Sequence, residues 1–174
     1  ITDTAGGIGS GIWEETVGPG IDAGFNYDTM PHTLVNNRDG TFTWSPLAYN
    51  HSGSGSEYSA VGSNYWVDRV AGDDNTNPMP TFVGQKISNL FFVRNRLGLL
   101  SGEQVVISQP SDYFNFFVGS AISASDSDPI DMGASDVKPA ILNYALPVQK
   151  GVMLFSEAAQ FMLFTESENF SPKT

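Results

Sequence analysis

Trp13-Glu14-Glu15 sets two carboxylates beside an aromatic ring, the pairing with which a carbohydrate-cleaving enzyme could supply an acid and a base. Adjacent residues on an extended strand point to opposite faces, so one strand cannot turn both groups onto one bond, and a solvated surface suits them better. Asp73, Asp74, Asn75 and Asn77 have the oxygen spacing of a calcium loop. Pro78 stands where such a loop needs glycine and no glutamate follows at its twelfth position, so an Asx-rich turn closed by Pro78 and Pro80 is the competing expectation. Asp126, Asp128 and Asp131, in SDSDPID, could gather a cation, stand in solvent, or meet Arg94 and Arg96 from across the fold. His32 and His51 are the only histidines, and neither lies near a nucleophile elbow. The opening GGIGSG lacks the spacing of a dinucleotide fingerprint, and no Walker sequence follows anywhere. With no cysteine, disulfides, thiolate metal sites and cysteine nucleophiles are excluded. No cofactor is expected.

The elements that must position these groups are mostly strands. The chain has 174 residues, enough for one domain or slightly more, and 40% of them are apolar, enough for a core. Charged residues make up only 16%, against about 25% in ordinary soluble domains, while 18 glycines and 10 prolines supply turns. Thr33-Leu34-Val35, then Asn36 to Gly40, then Thr41-Phe42-Thr43-Trp44 has the pattern of a hairpin around an Asp-Gly turn. Further strands are expected at Lys86–Arg94, Leu97–Ser101, Gln104–Gln109, Ile141–Pro147, Val152–Ser156 and Gln160–Thr165, with Asp126–Asp131 as an acidic turn. Asp112–Phe117 could form one helical turn, and Ala134–Leu142 a short helix limited by Pro139. The polar stretch His51–Gly62 marks a boundary: residues 1–62 are a linker and hairpin region, and 63–174 part of the main β domain. Apolar runs fall far short of the ~20 residues of a membrane-spanning helix.

The most informative stretch is Pro78–Phe117, where the basic island Arg94-Asn95-Arg96 sits between apolar runs. A guanidinium keeps its charge and brings five donors, so beside a core it needs carboxylates or carbonyls to receive it. A net charge of −11 argues against general affinity for a phosphate backbone. Tyr113, Phe114, Phe116 and Phe117 could stack on bases or sugars, but without a basic stripe they are expected in a core or at a subunit interface.

An ordered series of phrases runs from Trp13 to Leu163: WEETVGPGI, TMPHTLV, DGTF, WVDRVAGDDNTNPMPTFVG, FFVRNRLGLLSGE, SDYFNFF, DPIDM and LFSEAAQFML. In that order they resemble the central part of the tail tubular protein B family, the nozzle proteins of short-tailed bacteriophages. The resemblance implies a mainly β fold of propeller-like antiparallel sheets with long loops, and a chain that is an incomplete fragment of a larger multi-domain protein. It also implies a non-enzymatic virion component of the phage tail: a homo-hexameric tube that conducts DNA without sequence-specific binding and docks to the adaptor, tail tubular protein A, and to tail fibres. No catalytic residue carries over. The NRL phrase with Arg94 and Arg96, and the DPID phrase with Asp128 and Asp131, then suggest a structural clamp between β segments, and Trp66, Phe116 and Phe117 are expected at subunit contacts. Two other classes remain: a tail-associated polysaccharide hydrolase or depolymerase using Glu14 or Glu15, and a carbohydrate-binding module using exposed Trp44 or Trp66.

Overall fold

The computed structural model describes residues 13–47, 65–134, 136, 139–164 and 172. The GGIGSG opening, His51, the stretch 51–62 with its boundary at 62, and Thr165 all lie outside them. The described residues form three antiparallel sheets and one 3-10 turn, Tyr27–Thr29. β1 (His32–Asn36) and β2 (Phe42–Pro46) make a two-stranded ribbon. β3 (Ile87–Val93), β4 (Arg96–Ser101), β5 (Gln104–Ile107) and β6 (Ile130–Gly133) make a four-stranded sheet in that order. β7 (Leu142–Val148), β8 (Gly151–Ser156) and β9 (Gln160–Phe164) make a three-stranded meander.

β4 is central, and all six of its residues are buried. Leu97 and Leu99 face a cluster with Phe25, Met30, Leu47, Trp66, Phe82, Val106, Phe116 and Phe117. Leu100 joins a second cluster with Phe91, Val93, Val105, Ile107 and Ile130, completed by Leu142, Val152 and Leu154 from the meander. A strand covered on both faces reads as a continuous apolar run rather than an alternating one, which is why RLGLLS shows no period of two. Gly98 interrupts the run because its β-carbon position is filled by the ring of Phe91, its cross-strand partner. Phe25, Met30 and Leu47 precede residue 62 in sequence and share the first cluster with Trp66 and Phe82, which follow it.

The expected strands at 86–94, 97–101, 104–109, 141–147, 152–156 and 160–165 are all present, within a residue or two at their ends among the described residues. Two expectations are corrected. The acidic stretch is not turn throughout: Ile130, Asp131, Met132 and Gly133 are β6, because Ile130 is buried opposite Ile107 and the backbone follows it into register. Neither helix candidate is helical among the described residues. Residues 112–117 make a turn closed by Asn115 N–H on the Asp112 carbonyl. Around 134–142 the N–H groups of Ala134 and Leu142 donate to the carbonyls of Glu103 and Gly102, and that of Ala140 to the Glu103 carboxylate at 2.6 Å. The β4–β5 turn therefore holds the connection from β6 to β7, and no helix among the described residues is long and apolar enough to cross a membrane.

Candidate functional site

The basic island is the tip of the β3–β4 hairpin and what lies under it. Val93 pairs with Arg96, which leaves Arg94 and Asn95 as a two-residue loop, and both have positive φ, 45° and 61°. A right-handed strand twist favours this mirror-image turn, and asparagine tolerates it far better than arginine does. The tip is latched from outside. Asn95 donates through Nδ2 to Ser111 Oγ and accepts through Oδ1 from the Tyr113 hydroxyl at 2.6 Å, while its carbonyl takes the Ser111 N–H at 2.8 Å. Ser111 also has a positive φ, 64°, and the Tyr113 ring stands edge-on to Phe92.

Arg96 turns inward and is 2% exposed. Its Nη1 donates to the carbonyls of Ser108 at 2.9 Å and Asp128 at 2.8 Å, and its Nη2 to that of Asp126 at 2.8 Å. Burial pulls its pKa below the usual guanidinium value, and the nearby Asp128 carboxylate works in the opposite direction. The Asp128 carboxylate itself accepts the Ser125 N–H at 2.6 Å, closing the turn whose carbonyls receive the arginine. One side chain thus ties the start of β4, the end of β5 and the approach to β6.

A second buried arginine, Arg69, was not singled out by its sequence. Its side chain is fully buried, paired through Nη1 with Asp74 at 2.9 Å, and its guanidinium carbon lies 5.5 Å from the centroid of the Phe117 ring. Nε and Nη2 have no hydrogen-bond partner among the described residues. The signal in the sequence was the charged pair Asp68-Arg69 inside the otherwise apolar run Tyr65–Val70. Asn77, also buried, donates to the carbonyls of Ala71 and Val118 and accepts the Val118 N–H, which fastens the 71–77 loop to the chain after Phe117. Asp73 is spent on its own loop: it accepts from Asn75 N–H, Thr76 N–H and Thr76 Oγ1, and these bonds hold its pKa below the ordinary carboxylate value.

Of the four residues expected in a clamp, the structure brings Arg96 and Asp128 together, through the aspartate's carbonyl. Asp131 is elsewhere, accepting the N–H and hydroxyl of Thr81, and Arg94 is exposed at the hairpin tip. The arrangement is a set of fasteners between strands, with donors and acceptors turned on the chain itself. A profile of the bacteriophage nozzle protein family matches residues 4–174. The chain belongs to that family. It is 40% identical over 152 residues to tail tubular protein gp12 of Escherichia phage T7, an alignment that covers 87% of this chain and 17% of the relative. It therefore spans less than a fifth of the length of the curated relative it matches, and it is a component of the virion tail.

Both oxygens of Glu15 are engaged, by the Ser120 hydroxyl and the Ala121 N–H, each at 2.8 Å. His32 stacks on Trp44 with ring centroids 5.5 Å apart. Trp66, Phe116 and Phe117 are 3%, 5% and 2% exposed, packed against Phe25, Phe82 and one another, so their surface is spent within the chain and little is left to offer a neighbour. Among the described residues the exposed aromatics are different ones, Trp13, Phe42, Trp44, Phe92, Tyr144 and Phe164.

Proposed function

We propose that the chain is a segment of the nozzle wall: part of a propeller-like β domain in a hexameric tube that conducts the genome during ejection and docks to the adaptor, tail tubular protein A, and to tail fibres. The observation that carries this reading is the β7–β9 meander, which is apolar on both faces. Its register puts Ala145, Leu154 and Phe161 on one face with Val152 and Leu163, packed against the second core cluster. Tyr144, Leu146, Val148, Met153, Phe155, Met162 and Phe164 share the other, and Tyr144, Leu146, Met162 and Phe164 are exposed. A sheet with two apolar faces is built to lie between two layers, as the blades of a propeller do. β9 is also an uncharged edge strand, QFMLF, paired only with β8 among the described residues, and such an edge invites another strand.

Charge supports the conducting role. Of the basic residues among the described ones, Arg69 and Arg96 are buried and turned on partners within the chain, which lowers still further the cationic surface available to phosphate. A wall with excess carboxylate repels the duplex along its length, so no point on it becomes a trap. The test is imaging of the full-length protein by negative stain together with duplex retention on a filter near physiological salt. Six-fold rings with no retention are expected. Persistent monomers at high concentration, or retention that falls steeply with salt, would count against the tube and the passive wall respectively.

A further inference from the structure

The β1–β2 ribbon leaves the body between two buried anchors, Met30 at 4% exposure and Leu47 at 1%. Its register sets His32, Leu34 and Asn36 opposite Pro46, Trp44 and Phe42, so these six residues share one face. Leu34, Phe42 and Trp44 on that face are 63%, 60% and 66% exposed. The other face carries Thr33, Val35, Thr43 and Ser45, with Thr33 Oγ1 donating to the Ser45 carbonyl and Asn37 Nδ2 to Thr43 Oγ1. The apolar face is therefore the outward one, and the indole of Trp44 is held flat by His32 at an interplanar angle of 19°. A two-stranded ribbon is marginal by itself in water, so leaving its apolar face bare adds a further cost.

We propose that this ribbon is a docking arm whose Leu34–Phe42–Trp44 face seats on a second copy of the chain in the neighbouring subunit, an inference that rests on the nozzle reading. The three side chains offer about 400 Å² of apolar surface, roughly half of one side of a standard interface, in the aromatic-rich composition of an interface centre. Charge is compatible with that occupant. The six residues of the face include no Asp, Glu or Lys, so an equally acidic copy can approach without like charges meeting across the contact. At the ribbon tip Arg38 is exposed with φ 63°, and on a second copy, where acids outnumber bases 19 to 8, that cation finds an acidic surface. A ring requires a heterologous contact, so the arm engages a patch other than its own equivalent.

The test replaces Trp44 by the photocrosslinker p-benzoylphenylalanine in the full-length protein, prepared as a mixture of isotopically heavy and light subunits. Crosslinked heavy–light pairs are expected. Rings that give only crosslinks within one polypeptide, or none, overturn the arm while leaving the nozzle reading intact. A wild-type protein that never forms rings overturns the nozzle reading and the arm with it. In parallel, the doubly substituted Phe42→Glu, Trp44→Glu protein is expected to need at least tenfold higher concentration to assemble, with an unchanged circular dichroism spectrum because both side chains are exposed. Assembly at the wild-type concentration would overturn the proposal.

Discussion

Replacing Arg96 by Ala removes three charge-assisted hydrogen bonds from a residue that is 2% exposed, and the consequence can be worked from their geometry. Bonds from a charged donor contribute about 1.5–3 kcal/mol each, so the gross loss is large. Against it stands the cost of keeping a guanidinium out of water, which the substitution relieves. What remains is set by the stranded acceptors. The bonds to the Ser108 and Asp128 carbonyls are buried, and each orphaned carbonyl costs about 1–3 kcal/mol, whereas Asp126 is exposed and its carbonyl can turn to water. The net expectation is about 3–4 kcal/mol, or a fall in Tm of roughly 6–16 °C for a domain of this size. Thermal unfolding measures the total, and hydrogen exchange at Ser108 and at residues 125–130 localises it. Asp128→Asn separates two kinds of clamp, since it keeps the carbonyl that receives Arg96 and alters only the carboxylate. It is expected to cost about 1 kcal/mol. A loss from Asp128→Asn as large as that from Arg96→Ala would show that the ion pair, not the carbonyl cradle, carries the stability, and an Arg96→Ala loss under about 0.5 kcal/mol would refute the clamp altogether.

The hairpin latch should respond differently to two substitutions at one site. Asn95→Ala loses the bonds to Ser111 and Tyr113 and forces alanine into a positive φ, for an expected cost of about 2–3 kcal/mol, while Asn95→Gly keeps the turn and should cost only about 1–2 kcal/mol; equal losses in urea titrations would mean that backbone strain plays no part. The Asp73 loop should keep its order into unusual acid. Because its hydrogen bonds lower the folded-state pKa of Asp73, their contribution is complete above the ordinary value of 3.8 and is lost only as pH falls through the lower folded value. An NMR titration should show the Thr76 amide shift moving with the Asp73 carboxyl below pH 3.8, and a midpoint at or above that value would contradict the loop geometry.

Hydrophobic pattern carried most of the fold because burial sets strand registers, and that pattern is local. β4 and β5 were legible as apolar runs, and the ribbon as a hairpin with Gly40 at φ 89°, although the second positive φ of that turn falls on Arg38 rather than on Asp39. β6 was hidden because four residues that follow Asp126 and Asp128 and include Asp131 look like a turn, and only the cross-strand pairing of Ile130 with Ile107 makes them a strand. The same distinction separates the two arginines of the island. Nothing local tells Arg94 from Arg96; the difference is that a two-residue loop ends between them, so one stays at the exposed tip and the other enters the core-facing register of β4. Side-chain partners were less legible than strands for a further reason. The acceptors of Arg96 are carbonyls, which every residue possesses, and no residue type announces them; an aspartate-rich turn nearby suggests a carboxylate clamp when the geometry uses the turn's backbone. Aromatic residues were legible only as far as the choice between a core and a subunit contact. Trp66, Phe116 and Phe117 look like contact residues by type, yet an acidic, turn-rich chain with few aliphatic runs before residue 87 must build its first core cluster from rings, and the outward surface falls to the aromatics whose strand register turns them away from it.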